Sequence, residues 1–214
     1  MAISATTFLA IILTEPLYRD MLNEYSLEKI PQIQASASET EKFFWKLYSD
    51  VAMYGVMTLG LVITSIFRNE RARATYFASG ITVISWLIHV CKLYYADPRP
   101  FWVSDDVQGL SCSAEYGNPS GHSMVAFGFS MLMLLDIFET SVLSTSDKVI
   151  YTIVELLFGA SVGYSRFILG SHTANQILFG TIIGAWIAFT MTYVVREQLM
   201  DHLNAIVSRT DTQY

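Results

Sequence analysis

Long apolar stretches alternate with short polar ones along this chain, and five of them are long enough to predict membrane-spanning helices. The first covers residues 51–67 without a charge, and the aromatic cluster Phe43-Phe44-Trp45 ahead of it falls at interface depth. The second runs over 75–95, the third over 122–138, the fourth over 149–166, and the fifth, again uncharged, over 173–195. Residues 8–13 form an apolar core too short to span, which predicts an interfacial or re-entrant segment. No basic n-region precedes that core, so a cleavable leader is not expected. Residues 20–42 are polar and read as a partly mobile stretch. The organisation predicted is an N-terminal interfacial and polar segment (1–42), a membrane domain (43–198) and a short cytoplasmic tail (199–214). The fold class is all-α, a polytopic helical bundle of five clear transmembrane helices plus the short N-terminal apolar segment.

Composition strengthens this reading. Of 214 residues, 52% are hydrophobic and 15% charged, against about 25% charged in typical soluble domains. A net charge of −6 offers no basic surface for nucleic acid. Two cysteines, Cys91 and Cys112, are too few for a disulfide framework, and nothing supports their pairing. Gly159-x-x-x-Gly163 and Gly180-x-x-x-Gly184 lie inside the last two spans, where small residues at this spacing allow close helix packing.

Loop charge sets an expected orientation. Residues 68–74 carry Arg68, Arg71 and Arg73 and are placed in the cytoplasm, whereas Glu15, Asp20, Glu24, Glu28, Glu39 and Glu41 precede the first span. The end of span two, the start of span three, the end of span four and the start of span five then share the non-cytoplasmic side.

The unusual polar residues gather at those four helix ends. Lys92 closes span two and Arg99-Pro100 follow; Pro119-Ser120-Gly121-His122 open span three; Ser165-Arg166 close span four; His172 opens span five. Taken singly, each has an ordinary reading, since span-end cations snorkel to headgroups and Pro-Ser-Gly starts many helices. Together, three cations, two histidines and a glycine at a helix N-terminus describe an anion site. Arginines grip two oxygens each, Lys92 adds a point charge, Ser120 a hydroxyl, and the Gly121 amide an exposed donor. Of two histidines, one can attack phosphorus and the other protonate the leaving oxygen.

These residues carry a family resemblance. Lys92-LYYADP-Arg99-Pro100, Pro119-Ser120-Gly121-His122 and Ser165-Arg166-FILGS-His172 reproduce, in order, the three-part signature of the type 2 phosphatidic acid phosphatases. That superfamily is shared with glucose-6-phosphatases and vanadium haloperoxidases. The resemblance covers about residues 90–180. It implies that His172 is the nucleophile and His122 the general acid. It also implies that Lys92, Arg99, Ser120, Gly121 and Arg166 hold the phosphate, with Pro100, Ser165 and Gln176 in support. No cofactor or metal is implied. Gln176 departs from many members, which carry an aspartate there to orient the nucleophile; glutamine also occurs in the glucose-6-phosphatase branch. Lipid phosphatases of the family usually have six spans, with the first motif after the third, whereas here it follows the second clear span.

The expected activity is hydrolysis of a lipid phosphate monoester (phosphatidate, lysophosphatidate, a sphingoid-base or isoprenoid phosphate) through a phosphohistidine. The alternatives are a sugar phosphatase of the glucose-6-phosphatase kind and an inactive lipid-binding member. The expected partners are the phosphorylated lipid and the bilayer, with no nucleic acid and the oligomeric state open. The expected location is the endoplasmic reticulum or plasma membrane. Among other polar residues, Glu155 lies about 16 Å below the site along its helix and reads as a bonded structural carboxylate. His89 could support the site but reads first as a packed histidine; Asp97, Asp105, Asp106 and Glu115 lie near the pocket, where they could tune access of anionic substrates, and read mostly as a solvated loop.

Overall fold

The computed structural model describes residues 2–67, 70–111, 113–140 and 143–211. Arg68 and Cys112, which entered the loop-charge and disulfide readings, lie outside the described residues. The regular structure described is entirely helical: α1 (Ala2–Thr14), α2 (Pro16–Ser36), α3 (Glu39–Val62), α4 (Arg71–Tyr95), α5 (Pro100–Val103), α6 (Gly121–Thr140), α7 (Thr145–Ile168), α8 (Ala174–Thr190) and α9 (Arg196–Asp211). A π-helical turn, Ile63–Phe67, extends α3, and another, Met191–Val195, joins α8 to α9.

Local chemistry sets several of these ends. Ser38 caps α3 by accepting the Glu41 amide, and Ser144 caps α7 by accepting that of Asp147. Pro16 occupies the first turn of α2, where a missing N–H costs nothing. Helix α4 stops at Ala96, which turns left-handed at φ 48° and returns its amide to the Lys92 carbonyl.

The bundle is organised about α6 and α8, which lie along one another. The Gly180 and Gly184 pair makes that possible. A Cβ on Gly180 would come within 2.6 Å of the Ser120 carbonyl oxygen, and one on Gly184 would meet that of Met124, so backbone packs on backbone. Buried apolar side chains from α4, α6 and α8, including Ile84, Met124, Phe129, Leu132, Phe179 and Ile183, fill the core. Helix α7 packs beside α6, α3 lies on α7, and α1 and α2, which meet at Glu15, pack on α8, with α2 also reaching α7. Large apolar residues such as Trp86, Leu93, Ile153, Val154 and Leu157 remain on the outside, as lipid as solvent allows.

Among the described residues, four stretches are long and apolar enough to cross a membrane: Glu39–Ile66, Arg71–Val103, Gly121–Thr140 and Ala174–Ser208. The fourth span expected from the sequence, now α7, is a 24-residue helix but is not among these four. Its sequence carries Asp147, Lys148, Glu155 and Arg166, which lower its apolar character.

One terminal segment differs from expectation. The polar stretch beginning at residue 20 belongs to a helix that ends at Ser36, and it buries Ser26, Ile30 and Gln34. Polarity there reflects hydrogen bonds into the bundle: Gln34 donates to the carbonyls of Gln108 (2.9 Å) and Ile168 (3.0 Å) and accepts the Gln108 amide (3.0 Å). Residues 199–211 are helical as part of α9, with Leu199, Met200 and Leu203 packed on the core. At that end of the bundle Asp136 pairs with Arg73 (3.5 Å) and Arg196 (2.8 Å).

Candidate active site

At the opposite end, four helix termini and two loops enclose a cavity of about 420 Å³. Its wall includes Lys92 from the last turn of α4, Arg99 ahead of α5, Gly121 and His122 from the first turn of α6, Arg166 from the last turn of α7, and His172 from the loop before α8. Five side chains named from the sequence and the Gly121 backbone therefore meet at one place. Ser120, Pro100, Ser165 and Gln176 lie behind the wall. Ser120 is fully buried, its hydroxyl 3.0 Å from that of Ser123 and its amide donating to the Gln176 carbonyl. Ser165 donates to the Val162 carbonyl within α7.

The spacing between Arg166 and His172 has a backbone cause. After α7 the chain turns through Gly170, at φ +64°, and doubles back so that the amides of Ser171 and His172 both donate to the Arg166 carbonyl. A side chain on Gly170 would collide with the Gln108 carbonyl. The turn brings the histidine beside the arginine. Immediately after it, Thr173 caps α8 in a capping box with Gln176, each side chain accepting the other's amide at 3.3 Å.

This box also sets the His172 ring. Nδ1 lies 2.9 Å from the Gly117 carbonyl oxygen and 3.2 Å from Gln176 Oε1. Both neighbours are acceptors, because Gln176 Nε2 is committed to the Pro98 carbonyl at 2.8 Å. The proton therefore sits on Nδ1, and Nε2 keeps its lone pair. Nε2 lies 3.3 Å from Arg99 Nη1. Burial holds the His172 imidazole well below the ordinary histidine range, and Arg99, Arg166, Lys92 and His122 push it the same way. The ring is neutral at physiological pH, the state a nitrogen nucleophile requires.

The cations are held by groups the sequence did not single out. Arg99 donates from Nε to the Glu115 carbonyl (2.6 Å) and from Nη1 to the Ser171 carbonyl (2.9 Å). Arg166 donates to Ser49 of α3 (2.7 Å) and to Ser111 (3.2 Å), while its Nε is buried without a partner, a free donor for an anion's oxygen. Lys92 binds the Glu115 carboxylate at 2.5 Å. That hydrogen bond holds the Glu115 carboxyl below the usual carboxylate range. Helix α6, opening at Gly121, points its N-terminus at the same space.

Two sequence readings need correction. His89 is exposed rather than packed and lines the cavity mouth, its Nδ1 3.9 Å from Glu115. Glu115 itself lines the cavity, the alternative its nearness in sequence allowed. Asp97 is half-buried structural support, its carboxylate accepting from Asn118 (2.8 Å) and its carbonyl from the Gly117 amide (2.8 Å). Asp105 and Asp106 are exposed, as a solvated loop predicts. Glu155 lies beside Ser130 of α6, away from the cavity.

From the cations the cavity continues inward as a slot between α3, α4 and α6, lined by Tyr54, Met57, Ile81, Ile88 and Val125. Ile81 is eleven residues before Lys92 on α4, about 16 Å deeper at 1.5 Å per residue. Helix α3 packs on α7 more than on α4, which leaves this slot unfilled.

The fold and site thus define a bundle of apolar helices with three cations and two histidines gathered in one pocket at one end. Residues 73–200 match the PAP2 superfamily, and the chain belongs to that family. It is 31% identical over 144 residues to glucose-6-phosphatase 3 of Mus musculus, covering 56% of this chain and 41% of that protein. It is 26% identical over 143 residues to undecaprenyl-diphosphatase BcrC of Bacillus subtilis, covering 65% of this chain and 68% of the relative. The chain thus spans less than half of the first relative and about two thirds of the second. Its fold superposes on the transmembrane PAP2 type phosphatidylglycerolphosphate phosphatase from Bacillus subtilis with a TM-score of 0.70 at 16% identity, covering 89% of this chain and 94% of that one.

Proposed function

We propose that this chain is a metal-independent phosphatase of a membrane lipid phosphate, working through a phosphohistidine at His172. In the first step His172 Nε2 attacks phosphorus, the bond from phosphorus to the leaving oxygen breaks, and His122 gives that oxygen its proton. In the second, His122 takes a proton from water, the resulting hydroxide attacks phosphorus, and the N–P bond breaks to regenerate neutral His172 and release inorganic phosphate. Arg99, Arg166, Lys92 and the α6 N-terminus match the charge spread over the equatorial oxygens. Ser120, behind the wall, supports this end of α6 through Ser123 and Gln176.

The observation that carries the lipid reading is the slot. Its apolar lining runs from the cations down between α3 and α4, the shape a headgroup with an acyl or isoprenoid tail would need. The undecaprenyl-diphosphatase relative acts, by its name, on a long-chain isoprenoid diphosphate, which supports a tailed substrate. With Arg71 and Arg73 at the far end of α4, the loop-charge argument favours a pocket on the non-cytoplasmic face.

The test is phosphate release by detergent-purified protein in EDTA. Phosphatidate, a sphingoid-base phosphate, an isoprenoid phosphate and diphosphate, and glucose 6-phosphate are offered in parallel. Release from a lipid, lost in His172→Ala, is the expected outcome. Preference for glucose 6-phosphate would replace the lipid reading with a sugar phosphatase, and no release from folded protein would favour lipid binding without turnover.

A further inference from the structure

We propose that Glu15, at the junction of α1 and α2 and outside the family-matched region, is a positioning residue for His172, acting through Asn118 and Asn175. The proposal rests on His172 being the nucleophile.

Glu15 is completely buried, an expensive place for a carboxylate unless its oxygens are fully engaged. They are. Arg19, one turn on, forms an ion pair with it and donates Nε at 2.9 Å. Asn175 donates Nδ2 at 2.7 Å and Asn118 donates Nδ2 at 3.3 Å. Both asparagines are themselves fully buried.

Their positions in the chain give these bonds their meaning. Asn118 directly follows Gly117, whose carbonyl accepts the His172 Nδ1 proton. Asn175 directly precedes Gln176, whose side-chain oxygen is the second acceptor of the same proton. One carboxylate thus ties together the two short segments that orient the imidazole, one in the loop before α6 and one in the first turn of α8. Neither partner of Nδ1 carries a negative charge: they are a carbonyl and an amide. Asp97 also accepts from Asn118, at 2.8 Å, but Glu15 accepts from both Asn118 and Asn175 and so reaches both segments.

A simpler role would be that Glu15 fastens the N-terminal helices to the bundle. Other contacts already do that on α2, since Ser26 accepts the Ala174 amide at 2.8 Å and Gln34 bonds Gln108 and Ile168. Gln34→Ala is therefore the control that loosens α2 without touching the partners of the ring.

The experiment is nitrogen-15 NMR of histidine-labelled protein in detergent, with kinetics on the same samples. Only four histidines are present, so single substitutions assign the spectrum. In the unaltered protein the His172 signals are those of an Nδ1-protonated neutral ring. In Glu15→Ala they move toward a tautomer average, while kcat per folded molecule falls about 10- to 100-fold with KM within about twofold. Glu15→Gln, keeping one acceptor oxygen, gives a smaller shift and recovers part of the rate. It carries the test if Glu15→Ala does not fold. Gln34→Ala leaves the signal unmoved. An unmoved His172 signal in the Glu15 variants, with activity tracking the folded fraction, overturns the proposal. A moved signal in a protein that hydrolyses nothing would uphold the positioning role and instead refute the phosphatase reading.

Discussion

The carbonyl oxygen of Gly117 stands 2.9 Å from Nδ1 of His172, nearer than the side-chain oxygen of Gln176 at 3.2 Å. A backbone acceptor therefore shares the task of fixing the tautomer, and the glutamine is one of two supports. Gln176→Ala is expected to lower kcat about tenfold, at the mild end for groups that orient an active histidine. A complete loss of activity in well-folded Gln176→Ala would show that the carbonyl alone cannot hold the ring.

The depressed basicity of His172 gives stability a pH dependence of known sign. Above about pH 6.5 the ring is neutral in both folded and unfolded chains. As pH falls below that value the unfolded chain gains a proton on it while the folded one does not, so stability is lost on acidification. The slope from this group is about 1.4 kcal/mol per pH unit. Unfolding measured between pH 7.5 and 5 should show the wild type losing more stability than His172→Asn. Equal losses would mean that the ring is not held neutral by burial.

Lys92 is occupied by Glu115 at 2.5 Å, so an incoming phosphate has to displace a carboxylate. Half of the Glu115 side chain is exposed, which keeps the penalty small. Glu115→Gln is expected to lower KM for an anionic substrate about fivefold with little change in kcat. A raised KM would instead give Glu115 a direct part in binding.

The slot predicts discrimination by tail length. Met57→Trp or Ile88→Trp should raise KM for a long-chain lipid phosphate about tenfold while leaving hydrolysis of p-nitrophenyl phosphate unchanged. Equal effects on both substrates would argue that the tail lies elsewhere.

The α2 helix is tied to the site loops by Gln34. Gln34→Ala leaves the Gln108 and Ile168 carbonyls short of a donor, and each such group costs about 1–3 kcal/mol. Thermal unfolding in detergent should report a loss of that order, with kcat per folded molecule unchanged.

How much of this was legible in the sequence follows from where the information resides. Lys92, Arg99, His122, Arg166 and His172 are charged or titratable groups at apolar span ends, and their conspicuous type and spacing singled them out. The helical class likewise follows from long apolar runs. Ser49 and Ser111 had no such mark: a serine in a helix or loop is ordinary, and only the fold shows that both take donors from Arg166. The Gly117 carbonyl is invisible in principle, because every residue has one. Glu15 counts in the sequence as one more acidic residue before the first span; its burial depends on α1 and α2 docking on α8, a long-range event with no local pattern. The same docking is why a polar stretch that reads as partly mobile is a helix with Ser26 and Gln34 buried.

Covalent chemistry at His172 is the central step of the proposed reaction. The measurement is rapid quenching of the detergent-purified protein turning over a phosphorus-32-labelled substrate, followed by mapping of the labelled peptide. The predicted result is an acid-labile, alkali-stable label on the peptide containing His172, absent in His172→Ala. Turnover that proceeds without any such label, or a label that survives His172→Ala, would contradict it.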